Sequence, residues 1–128
     1  MPAITVATTV PETTLCAVRE ANTALRDLAS LGTPYAVAAR LRQMGIRGLR
    51  HSSMFCPVAQ AVHKAVHKAC RGDYEVTVGN YSSQVRPSGM FARGYGVGTP
   101  PVVAEFIRLF DAGVFPDLVT GDNWETVR

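Results

Sequence analysis

From Pro11 onward the apolar residues return every three or four positions. Leu15, Val18, Ala21, Leu25 and Leu28 share one stripe, with Arg19, Asn22 and Arg26 off it. That period is helical. Pro11 suits a first turn, and Glu12 is favourable there against the helix dipole. Gly32 stops the helix, and Thr33-Pro34 starts a second one as cap and first residue. Val37, Ala38, Leu41 and Met44 give it a buried face. Gly45 followed by Ile46 predicts a left-handed C-terminal cap with its hydrophobic contact. The stretch RGLRHSSMF, Arg47 to Phe55, reads as a loop. Pro57 opens a third helix that ends before Gly72. Val58, Val62, Ala65, Val66 and Ala69 form its apolar face. Gln60, Lys64, His67, Lys68 and Arg71 lie opposite, with His63 at the boundary.

The period then changes to two. YEVTV (74–78), Gly79-Asn80 and YSSQVR (81–86) predict a hairpin with a two-residue turn. In that register Tyr74 faces Val85, Val76 faces Ser83 and Val78 faces Tyr81. Two strands alone are marginal, so a third is expected from residues 3–8, from about 89–95, or from a partner chain. The glycine-rich SGMFARGYGVG reads as a loop or an irregular strand. Thr99 is expected to cap a last helix, with Val103, Phe106, Ile107 and Phe110 inward and Gly113 at its end. VFPDL should pack back as a short turn, anchored with Phe110 by Phe115. Trp124 could dock from a polar tail that begins at Val119. The fold class is α+β: about four helices packed on a small antiparallel sheet containing a hairpin at 74–86.

Composition narrows the picture only a little. The chain has 128 residues, of which 47% are apolar. That fits a single domain, 1–128, with one modest core and loosely ordered ends at 1–10 and 119–128. No apolar run approaches the ~18 residues of a membrane span, and the N-terminus has no secretory pattern. Three cysteines read as reduced and cytoplasmic, without a disulfide framework.

Charge changes the picture more. Residues 40–71 carry Arg40, Arg42, Arg47, Arg50, Lys64, Lys68 and Arg71 and no acid. All three histidines, His51, His63 and His67, lie in the same block. Residues 72–128 carry four basic and seven acidic groups, which could cover the basic block internally. An open block would present a local positive field.

Three kinds of chemistry compete for FCPVAQAVHKAVHKAC, Phe55 to Cys70. His63 and His67 are four apart, a spacing that can hold one metal ion. A structural zinc site needs about four ligands, and Cys56 and Cys70 lie about 21 Å apart along a helix. The metal reading is therefore a zinc-stabilised interaction module that borrows ligands from elsewhere. The second reading puts a reactive thiolate at Cys56, at a helix N-terminus. No general base or oxyanion hole is apparent beside it, and a small buried cysteine is the simpler role. Cys16 and Cys70 read as packing residues. GYGVGTPP matches no phosphate-loop spacing. The third reading joins Arg40, Arg42, Arg47, Arg50, His51, Lys64, His67, Lys68 and Arg71 into one surface, if the second and third helices pack antiparallel. Such a surface suits phosphates or an acidic protein. The connection from Gly45 to Pro57 is too long for a standard helix-turn-helix.

The order GIRG, CPVA, a Val-rich hairpin, then VAEFIRLFDAGVFPDL resembles small actinobacterial proteins of uncharacterised activity. The resemblance covers about residues 35–118, and Cys56-Pro57-Val58-Ala59 and Phe106 through Leu118 carry it. It implies a cytoplasmic accessory protein and transfers no catalytic residues. The sequence thus favours a non-enzymatic regulatory or accessory protein that binds nucleic acid or an acidic protein partner through the 40–71 surface. It needs no cofactor or membrane, and a homodimer through the hairpin edge stays open. The alternatives are a thiol-dependent enzyme or redox sensor on Cys56, and the zinc module on His63 and His67.

Overall fold

A computed structural model describes residues 11–89 and 92–120 of the chain. Four helices occur among them: α1 (Glu12–Ala29), α2 (Pro34–Gln43), α3 (Pro57–Ala69) and α4 (Pro101–Asp111). Three strands, β1 (Tyr74–Val78), β2 (Ser82–Pro87) and β3 (Tyr95–Gly98), form an antiparallel sheet in the order β1-β2-β3. A 3-10 turn spans Pro116–Leu118. The architecture is α+β. α3 covers β1, α1 lies across β2 and β3 and packs along α3, and α4 packs on α2 and α1.

Local chemistry sets the helix ends. Thr33 is the N-cap of α2, and its Oγ1 accepts the Ala36 N–H at 3.1 Å. Gly45 takes φ 71°, the Gly45 N–H bonds the Arg42 carbonyl, and the Ile46 N–H bonds the Leu41 carbonyl. This is the expected left-handed cap, with Ile46 buried as its contact. Gly113 ends α4 in the same way at φ 90°. Thr99 does not cap α4. Pro100 holds the N-cap position without a side-chain bond, and the Thr99 hydroxyl lies 2.6 Å from that of Ser83.

The inward stripe of α1 differs from the expected one by about one residue. Thr14, Ala17, Ala21, Leu25 and Leu28 are buried, while Leu15 is 36% exposed. Two alanines on the inner face leave room for α3 to lie alongside. Met44, expected inside, is exposed as well.

The hairpin register also differs. Val76 pairs with Val85, Tyr74 with Pro87 and Val78 with Ser83, and the Gly79 N–H bonds the Ser82 carbonyl, so Asn80 and Tyr81 make the turn. The offset from the expected register is two residues, which preserves the faces. Tyr74, Val76, Val78, Ser83 and Val85 all point into the core. A turn at Gly79-Asn80 would have set Tyr81 inward against Val78. The turn at Asn80-Tyr81 releases Tyr81 to solvent at 90% exposure and brings the small Ser83 opposite Val78. The third strand falls at Tyr95–Gly98, at the end of the glycine-rich stretch.

The cysteines contradict the expectation of three thiols. Cys16 and Cys70 form a disulfide, with Cα atoms 6.0 Å apart. Packing of α1 along α3 brings the two together, a tertiary contact that no local spacing announces. Phe106, Phe110 and Phe115 stack in the core, with Tyr35 edge-on to Phe115. Val119 and Thr120 lie against the loop at Gly48. Gly48 donates its N–H to the Leu118 carbonyl and accepts the Thr120 N–H, each at 2.8 Å. The strand considered at 3–8 and Trp124 lie outside the described residues.

Candidate functional site

The basic residues fall into three settings, and the expected single surface does not form. The condition for it was an antiparallel packing of α2 on α3. α2 instead packs mainly on α4, and α3 on α1 and β1.

In the first setting the cation is used internally. The Arg50 guanidinium donates two hydrogen bonds, at 2.8 and 3.1 Å, to the Asp111 carbonyl at the end of α4. The His51 N–H donates to the Asp111 carboxylate at 2.8 Å, and His51 takes φ 59°. Arg50 and the His51 backbone therefore fix the 47–55 loop to α4. Arg42 pairs with Asp117 at 2.5 Å and lies over the Phe115 ring. Its hydrogen bond holds the Asp117 carboxyl below the usual carboxylate range, and the same bond raises Arg42. Asp111 and Asp117 thus do part of what the acidic C-terminal region was expected to be able to do. In the second setting, Arg40, Lys68 and Arg71 are exposed and line neither recess described here.

The third setting is an open cleft of about 740 Å³. Its walls are Gly45–Arg47, Met54 and Phe55 from the loop, Gln60, His63 and Lys64 from α3, Tyr74–Val76 from β1, and Thr120. Among the described residues, no acidic side chain forms an ion pair with Arg47 or Lys64. The one acid in the wall, Glu75, is engaged by Arg86 across the β1–β2 ladder. The cleft therefore has a positive side that is in no ion pair among the described residues, and the Arg47 charge also helps to lower the Asp117 carboxyl. It also has an apolar side, with Phe55 at 53% and Met54 at 41% exposure. A smaller recess of about 400 Å³ shares Gly45, Ile46 and Arg47 and is walled by the Arg42–Asp117 pair.

Loop packing positions this cleft. A Cβ at Gly48 would come within 2.3 Å of the Phe55 carbonyl oxygen and 2.6 Å of the Pro57 nitrogen. Only glycine lets the chain pass there, and the Leu49 N–H then bonds the Phe55 carbonyl at 2.8 Å. Gln60 Nε2 donates to the same carbonyl at 2.9 Å. The Val78 N–H donates to the Ser53 carbonyl at 2.9 Å, tying the loop to β1. Met54 and Phe55 are held outward as a result. Reading the sequence for charge passed over both. Their signal was two large apolar residues at the end of a loop that is otherwise polar.

Cys56 is no exposed nucleophile. It is buried, its Sγ accepts the Ala59 N–H at 3.3 Å as the N-cap of α3, and burial pushes the thiol up to about 11. The helix amides act in the opposite sense and are outweighed. His63 and His67 stack with centroids 6.1 Å apart. Among the described residues, no third His, Cys, Asp or Glu joins them as a ligand. No helix of the described residues is long and apolar enough to cross a membrane.

The chain matches no family model, and comparison with curated proteins and with solved structures gave no match.

Proposed function

We propose that this protein is a non-enzymatic accessory or regulatory protein that binds an acidic protein partner in the Arg47–His63–Lys64 cleft. The observation that carries the reading is the pairing of Arg47 and Lys64, which form no ion pair among the described residues, with an exposed Phe55 and Met54 in one concave site. Recognition surfaces combine an aromatic anchor with charge complementarity in this way. Nucleic acid is the less favoured partner. Arg42 and Arg50 are engaged by intramolecular bonds, and the cations left in the cleft are too few for an extended phosphate track.

The reading is tested by fluorescence anisotropy with two labelled probes, poly-glutamate and mixed single-stranded DNA, over a series of salt concentrations. Poly-glutamate should bind and weaken with salt. Arg47→Glu combined with Lys64→Glu should cut its affinity by about tenfold or more. Binding of DNA without poly-glutamate would transfer the cleft to nucleic acid. Binding of poly-glutamate unaffected by the double substitution would remove the cleft from the argument.

A cytoplasmic location belongs to the same proposal, and the disulfide bears on it. A reducing cytosol keeps such a pair as thiols. The cytoplasmic reading therefore requires the same binding with and without reductant.

A further inference from the structure

One wall of the cleft is a strand edge. Among the described residues, β1 is the outermost strand of the sheet, paired only with β2. The Ser88 N–H bonds the Asp73 carbonyl, and the Gly79 N–H bonds the Ser82 carbonyl. In an antiparallel ladder, hydrogen-bonded pairs alternate with non-bonded ones. Between those two bonds, Glu75 and Thr77 are therefore the β1 residues that bond β2. Tyr74, Val76 and Val78 turn their N–H and C=O groups toward the other edge. The bond from the Val78 N–H to the Ser53 carbonyl confirms that phase. Tyr74 and Val76 have no backbone partner on that edge among the described residues, and both line the cleft.

We propose that the cleft takes an acidic, extended segment of a partner protein as a fourth strand on β1. This rests on the reading of the cleft as the site of an acidic partner, and adds how the partner is held. An unpaired strand edge is a template for another strand. In such additions main-chain bonds supply affinity and alternate side chains supply specificity. The Tyr74 and Val76 groups are about 7 Å apart along the strand, so a segment of about five residues engages both. Ser53 closes the edge at Val78, which sets where the added strand must stop. Arg47 and Lys64 supply the positive wall that an acidic segment complements, with His63 beside them and Glu75 already held by Arg86. Phe55 and Met54 receive the apolar residues that alternate with the acids.

The test is amide hydrogen exchange, followed by NMR on the full, oxidised chain. The probe is a blocked peptide of alternating glutamate and valine, about seven residues long. Its controls are poly-glutamate of the same charge and the same peptide with alternate amides N-methylated. In the free protein, Tyr74 and Val76 should exchange faster than Glu75 and Thr77. With the peptide bound, Tyr74 and Val76 should slow by about tenfold or more, and Glu75 and Thr77 should not change. N-methylation in one phase should weaken binding by about tenfold. Peptide binding that leaves Tyr74 and Val76 unprotected, or that tolerates N-methylation in both phases, overturns strand addition and leaves the acidic-partner reading standing. Failure of every acidic probe to bind overturns both. Protection of Tyr74 and Val76 in the free protein, with sedimentation showing a dimer, gives the edge to a second copy of the chain and also overturns the proposal.

Discussion

Gly48 and Cys56 show how much one position can decide. The Cβ of an alanine at 48 would meet backbone atoms of Phe55, Cys56 and Pro57. Backbone cannot rotate aside as a side chain can, so the loop itself must move. Gly48→Ala should lower stability by about 1–3 kcal/mol or more, read as a lower urea midpoint at unchanged slope. Cys56 makes a prediction in pH. Its folded thiol titrates near 11, above the ordinary value of 9.0. The unfolded chain therefore releases this proton first as pH rises. Burial of the neutral thiol stabilises fully below about 9, and its contribution is lost as pH rises from there through about 11. Urea titrations across that window should show this loss, and Cys56→Ala should remove it. Iodoacetamide at neutral pH should label native Cys56 far more slowly than the unfolded chain. The sequence does place Cys56 at the mouth of a helix. Whether a thiol there is reactive depends on what covers it, and the covering residues come from elsewhere in the fold.

At the scale of elements, Arg50 joins the 47–55 loop to α4. Its two bonds to the Asp111 carbonyl satisfy a group that the end of the helix leaves open. Arg50→Ala should cost about 1.5–3 kcal/mol in a thermal or urea melt. Arg47→Ala should stay within about 0.5 kcal/mol, since Arg47 is exposed on the cleft wall. The two arginines look alike in sequence, three residues apart in one basic run. Only the placement of α4 separates the structural one from the exposed one. Helix ends were easier to read. Thr33, Gly45 and Gly113 act on residues within one turn of themselves, so a short window contains the whole interaction. The cap assigned to Thr99 failed for a long-range reason, because the Thr99 hydroxyl meets Ser83 of β2. The hairpin falls between these cases. Alternation fixed which face of each strand is buried, while the turn falls one residue further along, at Asn80-Tyr81.

At the scale of the molecule, the disulfide is the largest single constraint that patterning left out. Its cysteines are 54 residues apart in sequence, and closing a ring of that size is worth about 4 kcal/mol by chain entropy. Reduction should lower the melting temperature by about ten degrees or more. Cys16→Ser should melt at the reduced protein's temperature and ignore reductant. Counting cysteines argued for three thiols, but a count carries no distance. Charge met the same limit. The sequence shows a basic block followed by an acidic region, and α2, α4 and the 3-10 turn decide that Asp117 meets Arg42 while Arg47 lines the cleft in no ion pair among the described residues.

The buried thiol and the disulfide together govern how the protein returns from the unfolded state. Cys56 lies inside the ring closed by Cys16 and Cys70, and the fold keeps it neutral and covered. Unfolding exposes it as an ordinary thiol on the same chain as a disulfide it can attack. Shuffled, wrongly bonded chains then accumulate at alkaline pH, where thiolate is abundant, and refolding yield falls. Refolding in mild acid, or from Cys56→Ala, keeps the native pairing. The core that hides Cys56 thereby also guards the bond across the helices.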